Sequence, residues 1–163
     1  MANENEEKVT VIDDKERAEA AEKLCKWATA RAGVIVLMPG LGTVAMLANQ
    51  IYMVVKLGKV YEQKITEAGA LSILGSMGTY FAGKALLTLI PFAPLQLPIA
   101  MGTTYGLGKA VTSWLQAGRP KDFSKFKDIY AQAVDEVKKN VDKFKNDPHK
   151  DEPLGDESKK FTK

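Results

Sequence analysis

Charge is missing from the middle of this chain, and that constrains its fold more than any motif does. Residues 32–118 carry only seven charged side chains: Lys56, Lys59, Glu62, Lys64, Glu67, Lys84 and Lys109. Residues 32–55, 68–83 and 85–108 carry none. The flanks are the opposite, with six basic and eight acidic residues in 1–31 and eleven basic and ten acidic in 120–163. A block so poor in charge must bury its surface in itself, in copies of itself or in lipid.

The net charge of +3 sits in this block, because the flanks nearly cancel. No basic stripe interleaved with aromatics runs through the chain, so a nucleic-acid partner is not expected. The single Cys25 leaves no partner for an intrachain disulfide and no cysteine metal site. The first residues are acidic and lack an apolar stretch, so a signal peptide is not expected and contact with a membrane would be from the cytoplasmic side.

Periodicity reads as all helix. Residues 1–13 are expected to be disordered, and Asp13 or Asp14 to cap a helix reaching about Ala32. Ala18, Ala21, Leu24, Cys25 and Ala28 form its apolar face, with Trp27 beside it. The next uncharged run, Ala32–Val55, has the length of a bilayer span. Pro39, Gly40 and Gly42 interrupt it, because proline removes a backbone donor and glycine adds freedom. The expectation is a turn there and a second helix from Thr43 to about Leu57. On that helix Asn49, Tyr52 and Lys56 form a narrow polar seam. It reads as headgroup and helix–helix contact, with a pore or groove lining as the sharper alternative.

A third helix is expected from Thr66 to about Leu89. Gly75 and Gly78 fall inside it, and glycine costs about 1 kcal/mol against alanine in a helix interior, so close helix packing is the expected compensation. Pro91 and Pro94 mark a second turn. A fourth helix should start near Pro98 and run to about Ala117, carrying Gly102, Gly106 and Ala110 at four-residue steps. Leu-Gly-Lys closes both the second and the fourth helices, at 57–59 and 107–109. The repeat suggests two hydrophobic hairpins bent at Pro and Gly. Arms of about 16 residues reach roughly 24 Å, short of the ~30 Å hydrocarbon core, so shallow or re-entrant insertion is expected. Trp27, Lys56, Lys84, Lys109 and Trp114 are the candidates for the membrane interface.

The C-terminal segment changes character. Phe123, Phe126, Tyr130, Val134, Val137, Val141 and Phe144 recur at three- and four-residue steps between Lys, Asp and Glu, which marks an amphipathic helix. Its mixed charge suits another protein, or another copy, better than lipid. Residues 147–163 are expected to be a disordered tail. The domains are therefore 1–13, a membrane-associated core at 14–119, the amphipathic helix at 120–146, and the tail.

Catalytic, cofactor and metal residues are not expected. Gly78 to Ala85 approaches a phosphate-binding loop, but Ala85 replaces the metal-binding hydroxyl and the flanks read helical. His149, the single histidine, falls in the tail, and Glu62 and Glu67 read as solvated charges of a connecting loop.

Several pieces are similar to one family: Trp27-Ala28 with Arg31-Ala32, Leu37 to Gly42, Gln50 to Met53 with Leu57 to Tyr61, Gly83-Lys84 to Ile90-Pro91, and Tyr105 to Ala110. Over about residues 20–118 the chain resembles a YcjF-like bacterial family of hydrophobic helical domains of unknown function, sometimes fused to or encoded near Era-like GTPases. The resemblance implies a membrane-associated helical module without catalytic residues, and a separate GTPase as a partner of a chain that shows no GTPase domain. The expected function is thus a non-enzymatic membrane protein that self-assembles or scaffolds at a bacterial membrane. The alternatives are an accessory module for a GTPase or compartment system, and a channel-like protein.

Overall fold

The computed structural model describes residues 4–37, 42–82 and 93–146, and it is all-helical, with six helices and no strand among those residues. The first helix, α1, spans Glu4–Ile35. It begins ahead of the Asp13 or Asp14 cap expected for it. No Gly or Pro falls between residues 4 and 32, so no helix breaker interrupts that stretch. The next helices are α2, Gly42–Val60, and α3, Glu67–Ala82. Gly42 thus opens a helix, while Pro39 and Gly40 lie outside the described residues, as do Lys84 and Pro91. Thr66 caps α3 by accepting the Gly69 N–H at 3.0 Å.

The fourth helix, α4, spans Ala93–Gln116 and starts five residues before the expected point at Pro98. Pro94 and Pro98 are therefore inside it. Pro94 falls in the first turn, where N–H groups have no intrahelical acceptor, whereas Pro98, one turn further in, forfeits the one bond to the Pro94 carbonyl. The amphipathic C-terminal segment is not one helix. A 3-10 turn, Ser124–Phe126, leads into α5, Lys127–Lys139, and α6, Val141–Lys145, follows a break. At the break Asn140 leaves helical geometry and its side chain donates to the Glu136 carbonyl at 2.9 Å.

Side-chain contacts fix the directions. Asn49 of α2 donates to the Ala28 carbonyl of α1, and Arg17 pairs with Glu62 at 2.9 Å, so α1 and α2 are antiparallel. Cys25 and Glu22 of α1 face Gly108 and Lys109 of α4, again antiparallel. α5 also runs against α4, and α3 leans on α2 through Ala70, Ile73, Leu74 and Met77, all buried. α3 touches α4 only lightly, so these two helices do not pair as the arms of a second hairpin. The smooth seat on α4 is taken by α5 instead. Tyr105, Met53, Leu57, Met77, Met101 and Val111 form the centre of the core.

Candidate functional site

The end of α1, the start of α2 and the first turns of α4 share one end of the bundle, since α2 and α4 both run against α1 and Gly33 lies against Leu97 and Met101. Seven large apolar side chains are exposed among the described residues, and five of them, Val34, Leu37, Val44, Leu47 and Ile99, belong here. Val44 is 61% and Val34 52% exposed, so these are full surface positions. The other two, Leu71 and Tyr80, lie on α3. Scattered exposed apolar residues are ordinary, but five at one end of a bundle are a feature of its surface. The opposite end carries Arg17, Lys59, Glu62, Lys64 and Arg119. No helix among the described residues is long and apolar enough to cross a membrane.

Four of the residues expected at a membrane interface, Trp27, Lys56, Lys109 and Trp114, lie among the described residues. Trp27 is buried beneath the Arg31 guanidinium, which lies 4.8 Å from its ring. Trp114 is buried near the charged end, where its indole N–H donates to the Pro120 carbonyl at 2.9 Å and Arg119 covers its ring. Both tryptophans are core residues because the ring needs burial and the bundle supplies it. Lys56 rests its ammonium 5.2 Å from the Tyr52 ring. The polar seam of α2 is spent inside the bundle: Asn49 binds α1, Tyr52 is buried, and Gln50 donates to Thr104 of α4.

Lys109 belongs to a half-buried ionic cluster. Its Nζ lies 2.6 Å from Glu22, the Tyr105 hydroxyl donates to the other oxygen of that carboxylate at 2.5 Å, and Lys26 stands 3.5 Å away. Burial opposes the charge on Glu22, but the hydrogen bonds from Lys109 and Tyr105 outweigh it and hold the carboxyl below its ordinary range. Burial and the adjacent carboxylate keep the Tyr105 phenol protonated well above its usual range. Burial also pushes the Cys25 thiol up to about 12. The cluster is a clamp between α1 and α4. No group of side chains fit to hold a metal occurs among the described residues.

The small-residue positions divide. Gly102 and Gly106 face α5: a Cβ on Gly106 would lie 2.7 Å from the Tyr130 ring, and one on Gly102 3.3 Å from Val134. Ala110 and Gly78 are buried, whereas Gly75 faces open space. The stripe read as a partner helix is covered by the same chain. Phe126, Tyr130, Val137 and Phe144 are buried against the bundle, and Phe123, Val134 and Val141 are half-buried. The Tyr130 ring stacks on Phe81 at 5.2 Å, and Phe144 meets Tyr105 at 4.8 Å. The mixed charges of α5 thus face solvent, as on any amphipathic helix of a globular fold.

The exposed ring of Val34, Leu37, Val44, Leu47 and Ile99 was not singled out from sequence. The uncharged run contained it, but only the fold separates its exposed members from buried Ile35, Tyr52 and Met53. No protein-family model, curated protein or solved structure matches this chain.

Proposed function

We propose that this protein is a non-enzymatic helical module that docks end-on to a membrane surface, inserting the apolar end of its bundle. The observation that carries the reading is the gathering of five exposed large apolar side chains at an end with no charge on 32–55. Apolar burial is worth about 25 cal/mol per Å², so a few such residues entering the acyl boundary suffice for reversible attachment. The clamp at Glu22 favours the same reading. It fixes α1 on α4, and α1 delivers Val34 and Leu37 to the end. Burial of Phe126, Tyr130, Val137 and Phe144 within the same chain makes the apolar end the better candidate for an outside contact than the C-terminal stripe. The reading stands on this surface and not on the family resemblance.

Flotation of the full chain with neutral phosphatidylcholine vesicles in high salt tests it. The chain is expected to float, since screening does not weaken apolar insertion. The paired substitution V44D and L47D is expected to abolish flotation while leaving the circular dichroism spectrum and melting temperature unchanged, because both positions are exposed. A wild-type chain that stays at the bottom of the gradient would sink the reading. If it also runs as a dimer that V44D and L47D dissolve, the apolar end covers a second copy instead.

A further inference from the structure

We infer that the apolar end selects loosely packed or strongly curved lipid surfaces, where acyl chains lie exposed between headgroups, and not headgroup charge; this rests on the membrane reading above. The helix registers carry the inference. Gly33 of α1 lies against Leu97 and Met101 of α4, Gly102 lies against Val134 of α5, and Asn49 of α2 binds the Ala28 carbonyl. Arg31 therefore comes level with Asp135 and Glu136, and the exposed Lys138 and Lys139 stand about one turn nearer the tip. Leu47 and Ile99 reach no further than those lysines. Leu37, six residues beyond Arg31, passes them by only about 4 Å. Apolar and charged side chains thus share one shallow band around this end of the bundle.

Such a band limits how the end can meet a bilayer. Insertion stops where Lys138 and Lys139 reach the headgroups, so the apolar side chains enter by little more than their own length. An amphipathic helix embedded along its whole length goes deeper, to about 5–10 Å. Charge does not compensate. Among the described residues of the band, Arg31, Lys138 and Lys139 stand with Asp135 and Glu136, a surplus of one, and on α6 Asp142 and Lys143 cancel. Arg31 is also engaged over the Trp27 ring. Nor does an aromatic anchor hold the end at the headgroups: none of the five exposed side chains is aromatic, and Trp27 and Trp114 are buried. What remains is aliphatic surface. Its binding scales with the acyl surface that the membrane offers, which grows with curvature and with loose packing. A flat, tightly packed bilayer must be opened before Val34, Leu37 and Val44 touch acyl chains, whereas a curved one already exposes them.

Vesicle flotation of the full chain separates this inference from the reading beneath it. Small sonicated and large extruded phosphatidylcholine vesicles are compared at equal outer-leaflet lipid, with vesicles containing phosphatidylglycerol in low salt beside them. Wild type is expected to bind the small vesicles several-fold more tightly than the large ones, and unsaturated lipid more tightly than saturated lipid. Phosphatidylglycerol is expected to change binding by no more than about fivefold, the share of one net basic residue near the surface. V44W, at an exposed position, supplies the missing aromatic anchor and is expected to raise binding to large vesicles and narrow the preference for small ones. Equal binding of wild type to small and large vesicles would overturn the selection and leave the apolar docking standing. So would a preference for phosphatidylglycerol well above about fivefold. Failure of wild type to bind even the small vesicles would overturn both.

Discussion

Glu22 ties the charged N-terminal flank to the uncharged block, because its carboxylate takes hydrogen bonds from Tyr105 and Lys109 of α4. Its folded pKa lies below the ordinary 4.5, so the stabilisation it brings is present above 4.5 and lost as pH falls through the folded value. Lys109, opposed by burial but raised by Glu22, is the reverse: its contribution is present below 10.5 and lost as pH rises through its folded value. Denaturant titrations of E22Q are expected to show a loss of about 1–2 kcal/mol at neutral pH, discounted for a cluster that is part exposed, and no deficit in strong acid. An equal deficit at every pH would mean that Glu22 acts by packing alone. Two glycines give opposite signs in the same measurement. A Cβ on Gly58 would lie 2.5 Å from the Gln63 carbonyl oxygen and 2.9 Å from Ile65, so G58A should cost about 1–3 kcal/mol. Gly75 has nothing within 4 Å, so G75A should gain about 0.5–1 kcal/mol from the stiffer backbone. A loss at G75A would show that another chain packs there.

At the scale of elements, the amphipathic C-terminal helix was legible as a helix, and its partner was not. Periodicity gives the stripe from Phe123 to Phe144, but no local signal says whether a stripe is covered by its own chain or another. The complementary feature was in the sequence as well: Gly102 and Gly106 are spaced by four, as are Tyr130 and Val134, which sit on them. The break at Asn140 was hidden for a different reason. The heptad-like spacing continues through it, and only the reach of Phe144 back to Tyr105 requires it. G106L is expected to lift α5 from α4, because a branched side chain cannot share the space of the Tyr130 ring. Limited proteolysis should then cut within 120–146 in the variant and spare wild type. Resistance in both would place the anchorage of α5 at Phe126 and Phe144 instead. Sequence also set α3 and α4 as one hairpin, where the structure gives α4 to α5. Proline and glycine mark where a chain turns, and packing decides which arms then meet.

For the whole molecule, the uncharged stretches of the chain supply the exposed apolar side chains at one end of the bundle, and this was partly readable. The uncharged block was plain in the sequence. What could not be read is which of its residues are interior: Trp27 just ahead of it, and Trp114 and Lys109 within it, looked like interface residues and are held by Arg31, by Pro120 and by Glu22. The last of these spans 87 positions, beyond any spacing rule. The surface left over is polarised, apolar around Val44 and charged around Lys64 and Arg119. A bundle so polarised should meet a bilayer end-on and not lie flat, because lying flat would bring the charged flanks of α1 and α5 into the acyl region at a cost of several kcal/mol. Fluorophores placed at Val44→Cys and at Lys64→Cys in a Cys25→Ala background report the orientation. With vesicles carrying a quencher on the acyl chains, the probe at 44 is expected to be quenched and the probe at 64 to stay bright. Equal quenching at both positions would mean that the bundle lies on its side, and the polarity of its two ends would then have some use other than docking.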